Sequence, residues 1–180
     1  MNKTILEKLF TVLNNLNIPY VLIGGYAAAA WGYIRATKDT DFLAAISPDK
    51  IDRVIADLKA QGFTVEYRRG DIEDPVRGLI KLGFQLQESE IDFTELVLGI
   101  KKMPSDVYLR AKKLHFAEIE IPVISPEDLI ILKLIAGGPS DINDARNIYE
   151  ILKEKLDDQY LGKEVKRCKL SLNSIKKTTP

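Results

Sequence analysis

Histidine and cysteine are almost missing from this chain: His115 and Cys168 are the single copies of each. A lone cysteine allows no intramolecular disulfide. Together the two counts exclude a Cys/His zinc site and a multi-histidine iron site. A serine–histidine–acid hydrolase would have to use His115, and no G-x-S-x-G turn exists to present its nucleophile. Excess charge is also missing. The 26 basic and 26 acidic residues cancel, so no global attraction to nucleic acid or to an anionic membrane is expected. Any such binding needs a local patch. Long apolar runs are lacking as well. The longest, Leu129 to Ala136, is interrupted by Lys133 and is far too short to span a membrane. Met1-Asn2-Lys3-Thr4 opens into an amphipathic pattern rather than a signal peptide. The expected location is cytoplasmic, with no membrane partner.

What is present suits one globular domain with at most a small appended lobe. At 180 residues, 46% apolar and 29% charged, the chain can bury a core without staples. Ile5, Leu6, Leu9, Phe10, Leu13 and Leu16 recur at helical spacing and predict a helix over 4–16. Asn17-Ile18-Pro19 ends it. Tyr20 to Ile23 reads as a short buried strand, Gly24-Gly25 as a turn, and the alanine run to Trp31 as a helix. A second strand is expected over 39–46 and a helix over 48–61, begun by Ser47 and Pro48. Phe63 to Tyr67 reads as a strand and 68–77 as a polar loop. Alternation over 79–98 predicts a β-hairpin turning at Glu88 to Glu90. Phe116 to Val123 offers one more strand. Ser125 then caps a helix ending at Gly137-Gly138-Pro139, and a second helix starts near Asp141. Residues 163–177 carry six basic residues against one acid and read as a frayed or extended tail.

Chemistry concentrates in Arg35-Ala36-Thr37-Lys38-Asp39-Thr40-Asp41. Aspartates at i and i+2 on a strand point to one face, where a hydrated Mg²⁺ can bridge them. Side by side they repel unless a cation or a proton lies between them. The plainer alternative is a solvated acidic pair at the start of a strand. A third carboxylate is offered by Asp92, if Ile91 and Phe93 face inward and the strand lies beside that of Asp39 and Asp41; Glu90 is the substitute. Three such acids suit a two-metal phosphoryl-transfer site. Gly24 and Gly25 either bring backbone N–H groups close to a phosphate or simply allow tight packing. The lysine–serine/threonine ending of a P-loop is absent. Lys133, the single charge in an apolar run, is a ligand contact or a snorkelling stem. Asp141 and Asp144 read equally well as acids at a helix start. Tyr26 and Trp31 suit core or pocket wall, and His115 a structural or surface position.

In these segments and their order, the chain resembles the polymerase-beta-type nucleotidyltransferase superfamily. The resemblance rests on Leu22-Ile23-Gly24-Gly25 and its helix, on Arg35-x-Thr37-x-Asp39-x-Asp41, and on Ile91-Asp92-Phe93. With Pro126-Glu127-Asp128-Leu129-x₃-Lys133 it looks most like the AbiEii-type toxins and their relatives, over residues 5–150. The implied fold is α/β (α+β), a nucleotidyltransferase-like mixed sheet flanked by helices. Residues 1–124 would form the core and 125–180 a C-terminal helical portion packed on it, with a basic tail.

The implied activity is Mg²⁺- or Mn²⁺-dependent transfer of a nucleoside monophosphate from an NTP to an unidentified acceptor, such as a tRNA or a protein. Asp39, Asp41 and Asp92 would be the metal ligands and catalytic carboxylates. Gly24, Gly25, Arg35, Thr37 and Lys133 would hold the nucleotide. A toxin–antitoxin role with an antitoxin partner is part of the same expectation. Two departures stand out: Ser140 replaces the lysine of the K-D-x-x-D element that ends in Asp141 and Asp144, and Gly138 replaces the arginine before it. They favour the alternative, an inactive binding module of the same fold or an antitoxin-like partner. A third reading, nucleic-acid binding through the tail and Arg68-Arg69, is opposed by the zero net charge.

Overall fold

A computed structural model describes residues 2–87, 90–116 and 118–176, without the side chains of residues 86, 87, 90 and 91. The turn expected at Glu88 to Glu90, the side chain of Glu90, and residues 177–180 lie outside that description. The chain runs α1 (Lys3–Asn15), β1 (Tyr20–Ile23), α2 (Gly24–Ala30), β2 (Thr40–Ala44), α3 (Ile51–Ala60), β3 (Thr64–Arg69), β4 (Gly78–Gln87), β5 (Glu90–Val97), β6 (Lys112–Phe116), β7 (Ile119–Val123), α4 (Pro126–Ala136), α5 (Pro139–Leu152) and α6 (Asp158–Arg167).

The seven strands form one mixed sheet in the order β3-β4-β5-β2-β1-β7-β6. Strand β1 runs antiparallel to β2 and parallel to β7, while β2 runs parallel to β5. Side chains alternate across the sheet, so each strand feeds both layers. One face carries Tyr20, Leu22, Phe42 and Leu96, and α1 lies over it: the Phe10 ring stacks on Tyr20 at 4.8 Å and meets Phe42 edge-on at 5.4 Å. The other face carries Ile23, Asp41, Leu43 and Glu95. Helix α2 packs on β1 and β2 there, and α4 packs on α2. Leu129 to Leu134 of α4 are all buried, so this helix is a core element rather than an amphipathic surface one. Ser125 caps it by accepting from the Asp128 N–H, and Gly137 ends it at φ 68°.

Two expectations are corrected. The apolar run at 116–123 is not one strand but belongs to the β6–β7 hairpin, which includes Lys112 to Phe116. Residues 163–176 are not a frayed or extended tail. Helix α6 buries Leu161 and Val165, Cys168 is buried just past its end, and Ile175 closes against the core with no exposed surface. Their spacing is helical, and their burial outweighs the repulsion among surrounding cations, which stay in water. Among the described residues no helix is long and apolar enough to cross a membrane.

Candidate active site

The candidate site forms where β1 turns into α2 against the start of β2. Gly24 adopts φ +69°, and a Cβ there would stand 2.1 Å from Asp41 Oδ2. A Cβ on Gly25 would lie 2.7 Å from Thr37 Cβ and 2.8 Å from its Oγ1. The two glycines therefore make room for two side chains of the Arg35–Asp41 segment, a direct packing reason for Gly-Gly at this point. Asp39, exposed, immediately precedes β2, and Asp41 lies two residues on within it. The structure thus gathers Gly24, Gly25, Thr37, Asp39 and Asp41 in one place.

Asp92 is not part of that group. Strand β5 does lie beside β2, as expected, but the register pairs Thr40 with Thr94 and Asp41 with Glu95. Asp92 is therefore in phase with Thr94 and Thr40 on the face covered by α1. Its partner across β4 is Phe84, whose ring lies under Lys8 of α1 at 5.4 Å. The sequence expectation placed Phe93 inward. Phe93 is instead 52% exposed, and Thr94 is buried at 2%. A buried threonine reverses the apparent alternation, and with period two that exchanges every side chain between faces. Glu95 is the residue missed. The signal available in the sequence was an acid two positions from the exposed side of an aromatic, which a polar-face reading of the strand could have found.

The electrostatics reflect this arrangement. The Asp41 carboxyl is pushed up to about 6, first by burial, then by the charges of Glu95 and Asp39, against the pull of Lys133 and Arg35. Glu95 meanwhile pairs with Lys81 across the strand at 3.1 Å. Among the described residues no three Asp, Glu, His or Cys side chains are already drawn together as a metal-binding group. The donor set of Asp39, Asp41 and Glu95 is all hard oxygen, the kind Mg²⁺ and Mn²⁺ prefer.

Lys133 lies on α4, buried, with Nζ 2.8 Å from Asp141 Oδ1 and 2.9 Å from Asp144 Oδ2. Asp144 is itself buried and also accepts from Arg35 at 3.1 Å. Arg35, Asp144, Lys133 and Asp141 thus form one chain of ion pairs linking the Arg35–Asp41 segment to α4 and α5. The account of Asp141 and Asp144 as acids merely favoured by a helix start is too small: both neutralise Lys133. Trp31 donates through Nε1 to the Ile124 carbonyl at 2.9 Å and acts as a wall between α2 and the end of β7. His115 is exposed on the edge strand β6.

Residues 3–178 match the model of a family described as nucleotidyltransferase of unknown function (DUF6036). The chain belongs to that family. Its fold is also that of solved nucleotidyltransferase structures. ANT(2'')-Ia in complex with adenylyl-2''-tobramycin aligns with a TM-score of 0.57 and 13% identity, over 92% of this chain and 95% of that one. The lincosamide antibiotic adenylyltransferase LnuA, bound to lincomycin, aligns with a TM-score of 0.50 and 14% identity, over 84% and 98%. JHP933 from Helicobacter pylori aligns with a TM-score of 0.51 and 18% identity, over 92% and 74%. At such identities the likeness speaks for the fold, a mixed sheet flanked by helices. A comparison with curated proteins finds no match.

Proposed function

We propose that this nucleotidyltransferase-family chain is a divalent-cation-dependent enzyme that moves a nucleoside monophosphate from an NTP to an acceptor hydroxyl. The observation that carries the reading is Asp41 held against Gly24, with Asp39 two residues before it and Glu95 next to it in the sheet. In the reaction the acceptor oxygen forms a bond to the α-phosphorus and the bond to the β-phosphate oxygen breaks. Pyrophosphate leaves, and the acceptor proton passes to a carboxylate or to water. Mg²⁺ or Mn²⁺, when bound, would neutralise the phosphate oxygens and draw the acceptor oxygen and the α-phosphorus together. Asp39 and Asp41 would hold the cation. Glu95, released from Lys81, would complete the set in the role that sequence reasoning gave to Asp92. The raised Asp41 carboxyl supports a fit, since burial first and the charges of Glu95 and Asp39 next disfavour its ionised form, and a cation bound there would offset both.

Arg35, whose side chain is 35% exposed, is the cation best placed to reach a triphosphate while still anchored on Asp144. Lys133 is largely spent on Asp141 and Asp144, so its share is to set the local field rather than to grip phosphate alone. Gly24, Gly25 and Thr37 shape the wall on which the nucleotide would lie. In this reading residues 1–124 are the catalytic core and 125–180 the helical portion that supplies Lys133. The AbiEii-like order of motifs supports a toxin–antitoxin setting, with an antitoxin as partner. The neutralised Lys133, together with Gly138 and Ser140, supports the competing reading of an inactive module of the same fold.

Purified chain, titrated with a non-hydrolysable NTP in Mg²⁺ or Mn²⁺ by calorimetry and then assayed for pyrophosphate release with each NTP and candidate acceptors, separates the two. Binding abolished by Asp41→Asn, with release of pyrophosphate, is the expected result. No nucleotide binding at any divalent-ion concentration would overturn the enzyme reading and leave the inactive module.

A further inference from the structure

Beside the carboxylates the sheet has an open face. Glu66, Lys81, Glu95 and Asp41 stand in one cross-strand row over β3, β4, β5 and β2. The next row is Thr64, Gly83 and Phe93. Asp39 continues it, because it precedes Thr40, the partner of Thr94. Gly83 has no side chain, so the second row dips between Thr64 and Phe93. A cavity of about 200 Å³ lies there, lined by Asp39, Glu66, Lys81, Phe93 and Glu95 among others. Two features of this face are unexplained by folding. Phe93 leaves half its surface in water at the edge of an acidic cluster. Glu66 has no ion pair among the described residues, since Lys81 turns to Glu95.

We propose that this face is the acceptor subsite, and that it takes a small acceptor with a protonated amine and an apolar ring face. The inference rests on the nucleotidyltransferase reading and deepens it. The ring lies on Phe93 over the dip at Gly83, the ammonium group is held by Glu66, and the reacting hydroxyl points to the Asp39–Asp41 end. Glu66 and Glu95 are two strand spacings apart, roughly 10 Å, which suits a molecule of one or two rings. Around a bound NTP the face stays negative, because the triphosphate carries more charge than a divalent cation neutralises. A polynucleotide acceptor would bring its phosphates against Glu66 and Glu95, where Lys81 is already paired with Glu95, so the charge disfavours it.

The test uses the full chain with Mg²⁺, with and without a non-hydrolysable NTP, and follows amide and ring signals by NMR titration. The probes are trans-4-aminocyclohexanol, its neutral analogue cyclohexanol, and a short single-stranded RNA. Wild type should bind the amine more tightly than the neutral ring, with the largest shifts at Gly83 and Phe93. Phe93→Ala and Glu66→Gln should each weaken the amine about two- to fivefold, the scale of an exposed cation–π contact or ion pair. Lys81→Met should tighten it. Nucleotide affinity, measured separately by calorimetry, should be unchanged in Phe93→Ala and Glu66→Gln. Equal binding of both ring probes, amine binding indifferent to the two variants, or preference for the RNA overturns the proposal. Nucleotide binding in the same samples can stand while it falls, so the two readings fail separately.

Discussion

Gly24 and Asp41 are fitted to each other: the space a Cβ on Gly24 would need is taken by the Asp41 carboxylate, 2.1 Å away. The left-handed backbone at Gly24 adds a conformational demand of about 1–2 kcal/mol for any other residue. Gly24→Ala should therefore displace the Asp41 side chain as well as destabilise the fold. The expected outcome is loss of divalent-ion stabilisation in thermal melts, with nucleotidyl transfer down at least about a hundredfold. A Gly24→Ala protein that keeps its full metal response would show that Asp41 is not held by this contact.

Asp41 also predicts a pH dependence. Its carboxyl moves from 3.8 to about 6 on folding, through burial and the charges of Glu95 and Asp39. Between those values the folded protein keeps a proton that the unfolded chain has lost. The resulting stability is complete below the lower value and disappears as pH rises through about 6. Without divalent ions, Asp41→Asn should be more stable than wild type at pH 7.5 by about 1–3 kcal/mol, and the gap should close towards pH 4. Adding Mg²⁺ at a hundredfold excess over its dissociation constant should stabilise wild type by about 2.7 kcal/mol and leave the variant unmoved. Denaturant melts at several pH values measure both.

Asp92 and Glu95 can be set against each other. Glu95 shares the Asp41 face, and Asp92 lies on the side of α1. Glu95→Gln should remove most of the Mg²⁺-dependent gain and lower transfer about tenfold or more, whereas Asp92→Asn should keep the metal response. Thermal shift with and without Mn²⁺, run on both variants, reads the difference. The reverse pattern would restore Asp92 as the third carboxylate.

Lys133 is a buried cation between two acids. Lys133→Met should leave Asp144 with Arg35 as its remaining cation and destabilise the fold by about 1.5–3 kcal/mol, the scale of a lost bond between charged groups. Adding Asp144→Asn should recover part of that loss. A pure phosphate contact behaves differently: the single variant would melt near wild type and lose only nucleotide affinity. Urea melts of the single and double variants distinguish the cases.

The tail gives a further check. Ile175 is fully buried although it lies among cations near the C-terminus. Ile175→Ala should cost about 2–4 kcal/mol. A frayed tail would make the same change nearly neutral.

By itself the sequence determined the elements with strong periodicity, the Gly24-Gly25 turn, and the Asp39-x-Asp41 pair. Each depends on residues a few positions apart, whose relative directions follow from helix or strand geometry. It left α6 hidden, because a basic composition masked the helical spacing of Leu161, Val165 and Cys168. Only the tertiary structure decided which acid on β5 faces Asp41. The register of β5 on β2 selects Glu95, and a shift of one residue would have selected a neighbour on the opposite face. It also decided the fate of Lys133, whose partners Asp141 and Asp144 sit on the next helix, where Asp144 also binds Arg35 from a segment about a hundred residues earlier in the chain. Strand register and long-range ion pairs belong to packing between elements, and no local pattern of residues encodes them.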